Sequence, residues 1–183
     1  MDESVGVRLR RLREERGMSL SELARVSGIG KGTISELEND RRGARLDTLF
    51  ALTTALDSPL GALLAGSGAE AQPVTGASVS AILLDKWTVG STLIEAYRAT
   101  LTTDRQESRA HAHGIEETIT VIRGRVLIGP PGTEQELRAG ESVRYPGDGP
   151  HRFQALDDAA DVILLMHYPP HTASEEGQLP HDR

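Results

Sequence analysis

The apolar residues of this chain change their period once. Between positions 5 and 64 they recur at helical spacing, whereas beyond position 78 they alternate or fall in short runs bounded by Gly and Pro. Such a chain builds a helical unit first and a β unit second, because a helical stripe and a strand alternation bury their faces differently. Between the two, GSGAEAQPVTGAS has no apolar period and is rich in Gly, Ala and Ser, the composition of a flexible linker. We therefore expect a helical domain over residues 1–66, a linker over 67–78 and a β domain over 79–170. The closing PPHTASEEGQLPHDR has almost nothing to bury, which predicts a disordered tail over 171–183.

Composition narrows the chemistry. With no cysteine, a disulfide scaffold, a zinc finger and a thiol nucleophile are excluded, and any metal must bind through nitrogen or oxygen. The start, MDESVGVRLRRLREERG, is charged, and no apolar run is long enough to span a bilayer, so we expect no signal peptide, no membrane contact and a cytoplasmic location. The net charge of -7 is unevenly placed: residues 1–66 hold 10 basic and 10 acidic side chains, and the remainder hold 10 and 17. All six histidines lie after position 110. The two halves carry different chemistries.

In the first half, Val5, Leu9 and Leu12 mark a helix that ends near Gly17. Ser19 and Glu22 have capping-box spacing and open a second helix with Leu20, Leu23 and Ala24 inward. Gly28 breaks it, Ile29 fills the turn, and a third helix runs from Lys31 to Glu38 on Ile34 and Leu37. Leu46, Leu49, Phe50, Thr53 and Leu56 give a fourth, and Pro59 opens a short fifth ending near Leu64. Two helices joined by a tight Gly turn have the layout of a helix-turn-helix, whose second helix enters the major groove.

Residues 5–64, from RLRRLREERGMSLSELA through TISELEND to LDTLFALTTALDSPLGALL, resemble the XRE (Cro/C1-type) family. The resemblance implies a lambda-repressor-like, five-helix DNA-binding domain. It puts Lys31, Gly32, Thr33 and Glu36 on the base-facing positions, where Lys31 suits guanine, Thr33 a thymine methyl and Glu36 a cytosine amino group. Asn39, Arg41, Arg42 and Arg45 follow as phosphate contacts. Because this half has no net charge, one copy alone should hold double-stranded DNA weakly, and a homodimer on a pseudopalindromic operator is expected.

The second half contains eight short apolar segments, at 80–84, 92–101, 118–122, 125–128, 135–138, 142–145, 152–156 and 162–167, which fit a jelly-roll barrel. RAHAHGIEETITVIRG reads His111-x-His113-x3-Glu117-x6-Gly124. Residues two apart on a strand share a face, so His111 and His113 should both enter the barrel and Glu117 should add a carboxylate. Gly140-x5-Pro146-x4-His151 brings a further imidazole. The set suits a divalent transition metal (Zn, Fe, Mn, Ni or Cu) with one or two positions left for water or ligand. His167 reads as a strand-end surface residue, and the few aromatics read as core packing, which leaves a cavity for a small polar effector.

These two segments resemble the two motifs of the cupin superfamily over residues 74–170, with Asp148 standing at a position where glycine is usual. The expected architecture is α+β multidomain: a five-helix helix-turn-helix domain followed by an all-β cupin jelly-roll barrel. It implies a transcriptional regulator whose cupin domain binds a metal or small-molecule effector and so modulates operator binding. Some proteins of the same layout resemble mononuclear iron oxygenases or epoxidases. Since the barrel shows no obvious general acid or base beyond the ligand set, no enzyme activity is expected.

Overall fold

The computed structural model describes residues 3–64 and 71–170; the expected tail at 171–183 and positions 67–70 of the expected linker lie outside the described residues. Ser4 caps α1 (Val5–Glu15) by accepting the Val7 amide at 3.2 Å. Ser19 and Glu22 form the reciprocal capping box at the start of α2 (Leu20–Ser27), which ends on Gly28 in the left-handed region. Next come α3 (Lys31–Glu38) and α4 (Leu46–Ala55). Leu9, Leu23, Ile34, Leu49 and Leu52 are fully buried between them. Each such side chain contributes about 1.5–3 kcal/mol of hydrophobic stabilisation.

The expected fifth helix is corrected. Among the described residues there are four α-helices, and after Pro59 only Leu60–Ala62 coils, as a single 3-10 turn. A turn this short satisfies little of its own backbone; Ala62 N–H donates to Pro59 O, and the two amides before it go to the β domain. Leu60 N–H donates to the Tyr168 hydroxyl at 3.3 Å, and Gly61 N–H to both Glu95 carboxylate oxygens at 3.1 Å.

The β domain comprises β1 (Val74–Thr75), β2 (Val79–Val89), β3 (Thr92–Thr102), β4 (Gln106–Ser108), β5 (Glu116–Arg123), β6 (Arg125–Gly129), β7 (Gln135–Arg138), β8 (Ser142–Pro146), β9 (His151–Ala155) and β10 (Ala159–Tyr168). A strand lies at each of the eight expected segments, and β1 and β4 are additional. They form two antiparallel sheets, ordered β1-β2-β3-β10-β5-β8 and β4-β9-β6-β7. The expected closed barrel is therefore corrected to an open, two-sheet arrangement. Closure requires that every strand be bonded on both sides, and the outer strands β1, β8, β4 and β7 are only two, five, three and four residues long. Between the sheets lie Val79, Ala81, Ile119, Val121, Val126, Ile128, Val162 and Met166, all buried.

The helical domain sits directly on the β domain. Besides the bonds to Leu60 and Gly61, Gln106 donates to Asp47 on α4 at 3.1 Å, and the Phe50 ring lies 4.8 Å from that of His111. No helix among the described residues is long and apolar enough to cross a membrane.

Candidate metal centre and nucleic-acid interface

Three of the four expected metal ligands come together. Glu117 points inward from β5, His151 begins β9, and His111 enters from the loop before β5, where its amide donates to Gly147 O at 3.0 Å. His111 Nε2 and His151 Nε2 lie 2.8 and 3.3 Å from the same Glu117 oxygen, and all three side chains are buried. One ligand atom from each falls within 4.8 Å of the others.

His113 is not part of this cluster. The segment from Ala112 to Gly114 is a turn, not a strand, with Gly114 at φ 79°, so the two-residue spacing does not bring the rings to one face. The His113 ring is fully exposed and pairs with Asp148 at 3.0 Å, while Asp148 also accepts the Gly114 amide. His167 also lies elsewhere, its ring 3.2 Å from the Thr118 hydroxyl.

Neighbouring groups orient the triad. The Tyr145 hydroxyl donates to the second Glu117 oxygen at 2.7 Å, and His151 Nδ1 lies 3.0 Å from Gly149 O. A carbonyl only accepts, so Nδ1 carries a proton and Nε2 presents either a second proton or a lone pair for a cation. Burial pushes the Glu117 carboxyl up, but the hydrogen bonds and charges of His111 and His151 outweigh it and hold the group well below the usual carboxylate range. Burial lowers the His151 pKa, yet its bond to Glu117 leaves it raised overall. An ionised carboxylate with two imidazole nitrogens aimed at it is a donor set that a divalent metal fits.

This donor set corrects the expectation that the protein has no catalytic capacity. Two histidines and one carboxylate with open positions are the ligands of non-haem iron oxygenases and of catalytic zinc sites. Here the triad is buried and opens on a cavity of about 450 Å³ between the domains. A binding site and possible chemistry are thus joined in one place.

On the helical domain, Ile34, Leu37 and Glu38 of α3 face inward, while Lys31, Gly32 and Glu36 are exposed and Thr33 is half-buried. Asn39, Arg41, Arg42 and Arg45 are exposed just beyond. Asn39 donates to Ser35 O at 2.7 Å, Arg42 lies 3.6 Å from Glu36 and Arg45 4.0 Å from Asp47. Sequence reasoning missed what holds α3 in place: buried Arg13 on α1 grips buried Glu38 through two bonds of 2.6 and 2.9 Å and also donates to Met18 O.

The helix-turn-helix family model matches residues 9–63, and the cupin domain model matches residues 98–168. The chain joins a helix-turn-helix domain to a cupin domain. It is 26% identical over 172 residues to the HTH-type transcriptional regulator SutR of Escherichia coli (strain K12), spanning 88% of this chain and 93% of that one. It is 40% identical over 67 residues to the HTH-type transcriptional repressor RghR of Bacillus subtilis (strain 168), covering 36% of this chain and 50% of that one. A crystal structure of an HTH_3 family transcriptional regulator from Vibrio cholerae superposes with a TM-score of 0.77 at 24% identity, over 90% of this chain and 95% of that one. That likeness extends the shared fold across both domains.

Proposed function

We infer that this protein is a DNA-binding transcriptional regulator whose cupin domain binds a divalent metal and a small molecule, and that cavity occupancy sets operator affinity. The observation that carries the reading is the direct packing of α4 over the metal triad, through Phe50 on His111. The regulators named above support the DNA-binding part. Lys31, Thr33 and Glu36 take the base-reading role and Asn39, Arg41, Arg42 and Arg45 the phosphate role, in a homodimer on a pseudopalindromic site. In this reading His111, Glu117 and His151 hold the metal. When bound, the metal supplies Lewis acidity and open positions for a ligand. Tyr145 and Gly149 keep the donor atoms oriented.

The test is selection of a binding sequence from randomised duplex, followed by titration of that operator with wild type and with Arg41→Ala/Arg42→Ala. The double variant should lower affinity at every salt concentration and flatten the salt dependence by about two phosphates. If no sequence is enriched over random duplex, the reading fails.

The buried triad also favours a second reading, in which the same centre catalyses a reaction on the cavity ligand. Loading with ferrous iron without oxygen, then adding oxygen, would show uptake that Glu117→Ala abolishes. Equal uptake by the variant would remove this reading.

A further inference from the structure

The cavity has one wall from each domain. Phe50, Ala51 and Thr54 of α4 face Tyr97, Ile119 and Leu164 of the sheets, so most of the boundary is apolar. The carboxylates on its lining are answered. Glu117 is held by the two histidines and Tyr145; Asp47 by Gln106 at 3.1 Å and Arg45 at 4.0 Å; Glu107 by Arg152 at 3.2 Å and Arg105 at 3.7 Å. Arg109 also lines the cavity, and among the described residues its guanidinium has no hydrogen-bond or ion-pair partner. The same guanidinium lies against the helix-turn-helix turn: a Cβ built on Gly28 would be 3.5 Å from Arg109 Nη1.

We propose that this interdomain cavity binds a carboxylic acid with an aliphatic body, its carboxylate on Arg109 and its body against the α4 wall. The inference rests on the ligand-responsive reading above and names the class of ligand where the sequence led us to expect a small polar effector. A sugar-like molecule would leave hydroxyls unpaired against Phe50 and Leu164. Arg109 is exposed, and a neutral hydrocarbon would make no use of its guanidinium. An aliphatic acid satisfies both walls, and the volume of about 450 Å³ lies within the range of small-molecule sites, roughly 300–1,000 Å³. Because α4 completes the site and Arg109 touches the turn before α3, the acid binds the docked arrangement of the DNA-binding head and stabilises it. By linkage, acid and operator then change each other's affinity by the same factor.

The experiment uses octanoate, with octanol as the uncharged control, titrated calorimetrically into the full-length, metal-loaded protein. Octanoate should bind saturably and octanol at least tenfold more weakly. Arg109→Gln should weaken octanoate tenfold or more and leave octanol unchanged. Gly61→Ala places a Cβ 2.3 Å from the Glu95 carboxylate, which displaces the head. It should weaken octanoate while metal content, set by β-domain residues alone, stays at the wild-type level and reports a folded domain. Equal binding of octanol and octanoate, undiminished octanoate binding by Arg109→Gln, or no saturable binding would each overturn the proposal. Undiminished binding by Gly61→Ala would remove the α4 wall from it. Titrating the selected operator with the same preparations separates the two readings. Operator binding without octanoate binding sinks only the ligand class, whereas octanoate binding without operator binding sinks the regulator and leaves the site.

Discussion

Arg13 and Glu38 meet at the centre of the helical domain with side chains 10% and 1% exposed, and Arg10 stands 3.5 Å from the same Glu38 carboxylate. Removing one partner from a buried pair strands the other charge, at a cost of about 3–5 kcal/mol, whereas replacing both with apolar residues of similar volume is often neutral. Because Arg10 still pairs with Glu38, Arg13→Met should lower the unfolding free energy of the helical domain by less than that amount. Arg13→Met/Glu38→Leu should recover most of it, as urea titrations followed by helical circular dichroism would show. At the metal centre, the exposed ring of His113 and the buried rings of His111 and His151 divide the four expected ligands. His113→Ala should leave metal affinity close to wild type, and Tyr145→Phe, which frees one Glu117 oxygen, should weaken it about 10–100-fold. His111→Ala should weaken it further, and competition with a chromogenic chelator measures all three.

Whole elements obey the same accounting of contacts, and two glycines on neighbouring helices make opposite demands. A Cβ at Gly6 on α1 would lie 2.2 Å from Leu37 O at the end of α3, whereas one at Gly32 on α3 meets nothing within 4 Å. Gly32→Ala should raise the melting temperature, since alanine gains roughly 1 kcal/mol over glycine in an exposed helix. Gly6→Ala should lower it despite the same intrinsic gain, because α1 must move off α3. Thermal melts of the two single variants give the signs directly. Elements of this kind were legible in the sequence where a local pattern encoded them: the Ser19–Glu22 box, the Gly28 stop and the eight alternating segments all lie where the structure has helix starts, ends and strands. The rest depended on distant partners. The LGALL segment has a helical stripe, but it makes a single 3-10 turn whose first two amides are bound by Tyr168 and Glu95 of the β domain. β1 and β4 are too short to alternate, His113 was placed by a strand spacing that Gly114 turns aside, and Arg13 and Glu38 sit 25 residues apart among other charged residues that no local pattern sets them apart from.

The joint between the two domains turns on Glu95, a fully buried carboxyl that receives both Gly61 N–H bonds and the Tyr97 hydroxyl at 2.6 Å. Burial pushes its pKa up, and the bonds from Tyr97, Gly61 and Tyr168 and the charge of Lys86 offset this only in part. The folded protein therefore holds this proton more tightly than the unfolded chain. Between the ordinary glutamate value and the raised one, the native state binds more protons, so stability falls as pH rises through that interval. The contribution is fully present below the ordinary glutamate pKa and is lost once pH passes the raised value. Glu117 has the opposite sign: its lowered pKa gives stability that is present above the ordinary value and lost only in stronger acid. The two carboxyls thus act in different pH windows and can be separated. Glu95→Gln keeps an oxygen to accept from Gly61 and removes the titration, so the variant should lose Glu95's share of the decline in stability above the ordinary glutamate pKa, while the decline from the raised His151 and the acid-side loss that belongs to Glu117 remain. Urea unfolding of wild type and variant across mildly acidic to neutral pH measures the difference. Parallel curves would mean that the carboxyl at the domain joint does not change its proton affinity on folding.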